Sequence, residues 1–103
     1  MKFIYIDGDC PALKRLVGFY VANVMPESAR GYNLAFRSWL ARHLDLIQVN
    51  RFYVGSDQKH HGYQFIVDSD LDWTRVSIEY GPFSECDYLE SELNFFRPDG
   101  KIG

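Results

Sequence analysis

Carboxylates, histidines and thiols are the side chains here whose spacing invites chemistry. The stretch FIYIDGDC, residues 3–10, carries an apolar strand into Asp7 and Asp9, with Pro11 just beyond. Two aspartates one residue apart at a strand's end can turn their oxygens onto one divalent ion. The same residues also make an ordinary strand-to-helix turn, with Asp7-Gly8 at the bend and Asp9 or Cys10 capping a helix that Pro11 begins. A second acidic cluster, FIVDSDLDW, sets Asp68, Asp70 and Asp72 after another apolar strand. His60 and His61 are adjacent in a polar turn, where neighbouring rings point apart and do not share an ion. Cys10 and Cys86 form no metal motif and read as reduced thiols of a cytoplasmic protein. Ser28, Ser38 and Ser84 lack a nucleophile-elbow context, and DGDCPALK lacks the glycines of a phosphate loop. No catalytic residue is assigned on these grounds.

The elements that must position these groups follow from periodicity. Residues 2–6 alternate as a strand. A helix is expected over 11–24, with Leu13, Leu16, Val17, Tyr20, Val21 and Val24 on one face and Met25-Pro26 as its stop. A second helix puts Phe36, Trp39, Leu40, His43, Leu44 and Ile47 on its buried stripe, while Arg37, Ser38, Ala41 and Arg42 face away. His43 there reads as a core or boundary histidine. The period then changes to two: 49–55, 63–68 and 73–80 read as strands of an antiparallel meander, joined by the polar turns SDQKHHG and DSDLD. Residues 84–96 read as a helix with Ser84 as cap, although Leu89, Leu93 and Phe95 also alternate as a strand would. Residues 97–103 read as a flexible tail. The expected fold is a small single-domain α+β sandwich over 1–103, order β-α-α-β-β-β-α, with helices packed on a mostly antiparallel sheet.

Charge narrows the function. The chain of 103 residues carries a net charge of −3, unevenly divided. Residues 1–50 hold six basic and four acidic side chains, and residues 51–103 hold five basic and ten acidic. An acidic second half favours a cationic partner and makes direct nucleic-acid binding there unfavourable. Lys14, Arg15, Arg30, Arg37 and Arg42 read as a solvated helical surface. No apolar run approaches the roughly 20 residues that span a bilayer, so no membrane partner is expected. The N-terminus reaches acids too soon for a signal peptide. Aromatic residues make up 17% of the chain, more than so small a core readily hides, and exposed Tyr and Trp are interface-prone.

Two motifs carry a resemblance. IDGD at 6–9 and IVDSDLDW at 66–73 resemble the strand-end aspartate motifs of NYN/PIN-like ribonucleases, with Cys10 where that family usually has Asn. The resemblance implies a minimal metal-dependent nuclease in which Asp7, Asp9, Asp70 and Asp72 hold Mg or Mn. The favoured expectation is different: a non-enzymatic binding protein, without metal or cofactor, that blocks a basic protein surface. Its contact set is Asp68, Asp70, Asp72, Trp73, Glu79, Tyr80, Asp87, Tyr88 and Glu90, with charges for steering and aromatics as anchors. In size, charge and lack of a catalytic motif the chain resembles immunity proteins and phage anti-defence inhibitors of the anti-CRISPR type. A structural subunit that pairs through exposed aromatics as a homodimer is a third reading.

Overall fold

Residues 1–24, 32–55 and 60–96 are described by a computed structural model of the chain. The expected helix stop at Met25-Pro26, Ser28, Arg30, residues 56–59 of the SDQKHHG turn and the 97–103 tail lie outside the described residues.

Alternation in KFIYID makes the first strand, β1 (Lys2–Asp7), with Ile4 and Ile6 turned into the core. Pro11 starts α1 (Pro11–Asn23), where a missing N–H leaves nothing unpaired, and Ala12, Leu13, Leu16 and Tyr20 form its buried stripe. The second helix, α2 (Tyr32–His43), buries Phe36 and Leu40. Two strands follow, β2 (Gln48–Val54) and β3 (His60–Val67), then α3 (Asp70–Tyr80), a 3-10 turn (Glu90–Glu92) and β4 (Leu93–Phe95). The sheet runs β1-β3-β2-β4 with every neighbouring pair antiparallel. The result is the α+β architecture expected: among the described residues, three helices and a four-stranded antiparallel sheet.

The three helices cover one face of the sheet. Phe36 of α2 meets Tyr63 edge-on, and Trp73 of α3 meets Phe65 in the same way. The other face carries Phe52, fully buried beneath the chain that leads to β4. That chain is a strap. From Phe83, which packs on Phe65 and Trp73, it turns round the outer edge of β1, where Asp7 N donates to Ser84 O (3.2 Å) and Cys86 N to Tyr5 O (2.8 Å). It then lays Tyr88 over Phe52 and joins the free edge of β2 as β4. The strap thereby covers part of the outer edge of β1 and the Phe52–Val54 stretch of β2, and leaves the three-residue β4 as a short edge strand, one way that sheets limit edge-to-edge aggregation.

Sequence order departs from expectation in the last two elements, which exchange places. Residues 70–80 are a helix because Ser69 caps it: Ser69 Oγ accepts from Asp72 N (3.3 Å) and donates to Asp72 Oδ2 (3.1 Å). Trp73, Val76 and Tyr80 then share one helical face, and Ile78, which the strand reading would have buried with Val76, is 80% exposed. Residues 84–96 are not a helix. Leu89 is 68% exposed, and the chain is held by pairing to β1 and β2 instead. In α2, Arg37 is 4% exposed instead of facing solvent, Trp39 is only half-buried, and Ile47 lies beyond the helix and is exposed.

Candidate functional site

The turn that opens the sequence question is built by Asp7. Its Oδ1 accepts from Asp9 N (2.8 Å), an Asx turn, and Cys10 occupies the cap position of α1 without a side-chain cap bond. Asp9 does not cap the helix. Gly8 is required there, since a Cβ on it would lie 2.7 Å from His61 O, to which Gly8 N donates (3.0 Å).

The four aspartates of the ribonuclease resemblance are not brought together. Asp70 pairs with Lys2 at the start of β1, whereas Asp7 ends that strand, five residues and about 16 Å along it. Asp72 is engaged with Ser69, and with Asp45 and Asp68 it rims a shallow depression of about 390 Å³. Among the described residues, no three His, Cys, Asp or Glu side chains converge in a geometry suited to a metal ion.

The expected contact set divides into three. Trp73 belongs to the core: it is 7% exposed and packs on Phe65 and Phe83, so it is no surface anchor. Asp68, Asp72, Glu79 and Tyr80 lie along or beside α3, where Arg75 pairs with Glu79 (3.7 Å) and Tyr80 Oη donates to His43 O (3.3 Å). Asp87, Tyr88 and Glu90 belong to the strap, together with Glu85 and Glu92. Asp70 joins this strap group through Lys2, whose ammonium is held above its ordinary pKa first by the hydrogen bond to Asp70, with Glu85 adding to the effect. The same bond holds the Asp70 carboxyl below its ordinary value.

Adjacent histidines on a strand must face opposite ways, and they do. His60 lies on the strap side, where its Nε2 meets Tyr88 Oη and lies 3.8 Å from Asp7 Oδ2. The Tyr88 phenol is pushed up to about 12, chiefly by burial, then by Cys86 and by the charges of Asp7 and Glu92. Beside this group the sheet face is polar and linked: Gln48 donates to Asn50 (2.7 Å), Asn50 to Gln64 (2.9 Å) and Gln64 to Tyr5 Oη (3.3 Å). Phe3, half exposed, and Leu89 stand out from the same surroundings, and a shallow groove of about 260 Å³ runs from Phe3 and Tyr5 to Asp87 and Tyr88. Phe3 and Leu89 were missed because the strand and helix readings assigned them to structure alone. The signal available was their place beside acids, Leu89 between Asp87 and Glu90.

Both cysteines are free thiols. Burial pushes the Cys10 thiol up, but backbone N–H groups of Ser84, Leu13 and Ala12 outweigh it and hold its pKa below the ordinary value. Ser84 N donates to Cys10 Sγ (3.2 Å), so the thiol fastens the strap to the start of α1. Among the described residues, no helix is long and apolar enough to cross a membrane. Compared with protein-family models, with curated proteins and with solved structures, the chain gives no significant match.

Proposed function

We propose that the protein is a binding module that presents the acidic strap face to a basic protein surface and blocks it. The observation that carries this reading is the grouping of Asp70, Glu85, Asp87, Glu90 and Glu92 about an otherwise polar sheet face with Phe3, Tyr88 and Leu89 as apolar contacts. Carboxylates at the rim steer a cationic partner and fix its register, and the apolar groups supply the desolvated contact that slows dissociation. Asp70 contributes less net attraction than its neighbours because Lys2 already neutralises it. The strap is rigidly seated by Phe52 and by both edge pairings, so little ordering entropy is lost on binding. A surface of this kind suits an inhibitor of the immunity or anti-defence type, acting in the cytoplasm, where Cys10 and Cys86 remain thiols.

The test is capture from the native host with three baits: the wild type, a strap variant (Glu85→Lys, Asp87→Lys, Glu90→Lys) and an opposite-face variant (Lys14→Glu, Arg15→Glu). A basic protein retained by the first and third baits and lost by the second is expected. Retention by the strap variant and loss by the opposite-face variant would reverse the assignment. Recovery of this chain alone would replace it with the homodimer reading.

A further inference from the structure

On the helix-covered face, between the first turns of α1 and the ends of β2 and β3, lies a pocket of about 360 Å³. Its walls bring nitrogen groups from three elements: the cations Lys14 of α1 and Arg51 of β2 and the imidazole of His61 of β3, with Leu13, Val17 and Tyr63 as the apolar side. Asp9 is its one carboxylate. We propose that this pocket binds a small organic phosphate of nucleoside-monophosphate size, with the phosphate between Lys14 and Arg51.

Arg51 is fixed for such a role. Its guanidinium lies 5.0 Å from the centre of the Phe96 ring, and its Nη2 is 3.2 Å from His61 Nδ1, while His61 itself stacks on Phe96. Its Nε is buried without a hydrogen-bond partner among the described residues, and no carboxylate there pairs with Arg51 or with Lys14. A half-buried guanidinium without a counter-charge is costly, and an anion offsets that cost through charge-assisted hydrogen bonds. A second guanidinium adds to the field. Arg37 is buried beside Tyr63, and its pKa is lowered first by burial, with Arg51's charge lowering it further and Tyr63 opposing.

The remaining lining selects within phosphates. The volume lies in the range of small-molecule sites, about 300–1,000 Å³, and exceeds what inorganic phosphate fills. Leu13, Val17 and Tyr63 offer an apolar wall to a ring, and Asp9 accepts from a hydroxyl or amino group. A single carboxylate at the rim also disfavours di- and triphosphates, whose added charge has no added cation to meet. The pocket is a single half-open depression on a net acidic molecule, which favours a free nucleotide over a phosphate backbone.

The full chain is titrated by calorimetry with adenosine monophosphate, uridine monophosphate, inorganic phosphate and adenosine, while the methyl resonances of Leu13 and Val17 are followed by NMR. The monophosphates are expected to bind and to shift both sets of methyls, inorganic phosphate to bind more weakly, and adenosine not to bind. Lys14→Gln, at an exposed position, should keep the wild-type melting temperature and weaken the monophosphates about tenfold, and Arg51→Gln should abolish their binding. The strap variant should bind them as the wild type does. Absence of monophosphate binding by the wild type, binding unaltered in Lys14→Gln, or shifts that leave the Leu13 and Val17 methyls unmoved would overturn the proposal. Tighter binding of a single-stranded oligonucleotide than of a mononucleotide would overturn it in favour of nucleic acid.

Discussion

Phe52→Ala tests how the strap is held. The Phe52 ring is fully buried, with ring centres at 5.7 Å to Tyr88, 6.0 Å to Phe95 and 6.1 Å to Tyr5. Beneath it is Gly62, where a Cβ would lie 2.5 Å from Phe52 Cζ, so the ring fills the space that the glycine leaves. A buried aromatic side chain removes about 150–200 Å² from water, or about 4–5 kcal/mol at roughly 25 cal/mol per Å². That agrees with the ~3–5 kcal/mol typical of Phe→Ala in a core. Against a total stability of about 5–15 kcal/mol, the loss is large and need not unfold the domain. Phe52→Leu, which keeps most of the volume, should lose only about 1–1.5 kcal/mol. Urea unfolding gives the stability, and hydrogen exchange gives its location. The amides of Cys86 and Phe96, bonded to Tyr5 O and Arg51 O, should lose protection in Phe52→Leu before the amides of α1 do. A loss under about 1 kcal/mol for Phe52→Ala, or strap amides as protected as in the wild type, would refute Phe52 as the strap's anchor.

Ile78→Ala should change stability by about 0.5 kcal/mol or less, while Val76→Ala should cost well over 1 kcal/mol; equal costs in urea unfolding would refute the helix at 70–80. Ser69→Ala should cost about 1 kcal/mol by the same measurement, because Asp72 N loses its acceptor, and no loss would mean the cap is idle. Ultraviolet titration should find one tyrosine ionising near 12, absent in Tyr88→Phe; because the folded value is raised above 10, stability contributed by this group falls as pH rises from 10 towards 12. The Asp70 carboxyl, followed by NMR, should titrate below its ordinary value and return towards it in Lys2→Gln. Its contribution is present above the unfolded value and is lost as pH falls through the depressed folded one.

Much of the architecture was legible because burial imposes a period. The stripe Leu13, Leu16 and Tyr20 and the alternation of Ile4 and Ile6 are each found in the element expected, although Val21 and Val24, expected on the same helical face, are exposed near the end of α1. WTRVSIEY is ambiguous, since Trp73, Val76 and Tyr80 fit a helix while Val76, Ile78 and Tyr80 fit a strand. The deciding residues were Ser69, the N-cap, and Asp72, whose N–H and carboxylate both bond the Ser69 hydroxyl just upstream. The strap was not legible, because its structure is fixed by pairing with β1 and β2, which are distant in sequence. Trp73 and Leu89 then exchanged their expected roles, one entering the core and the other reaching solvent. The acids were visible as composition, but their division between α3 and the strap depends on that same long-range pairing. The basic pocket was invisible for a similar reason: Lys14, Arg51 and His61 come from three elements, and the polar run around His60 and His61 reads as a turn although both begin β3.

The central claim is that the strap face meets a basic partner, and the salt dependence of association measures it most directly. Association and dissociation rates with the captured partner are recorded from low to high ionic strength for the wild type, the strap variant and Leu89→Ala. The wild-type association rate should fall steeply as salt screens the rim charges, and the strap variant should associate slowly with little salt dependence. Leu89→Ala should associate as the wild type does and dissociate faster, because it removes contact and leaves the charge in place. A wild-type association rate that does not change with salt, or a strap variant that associates as fast as the wild type, would contradict the account.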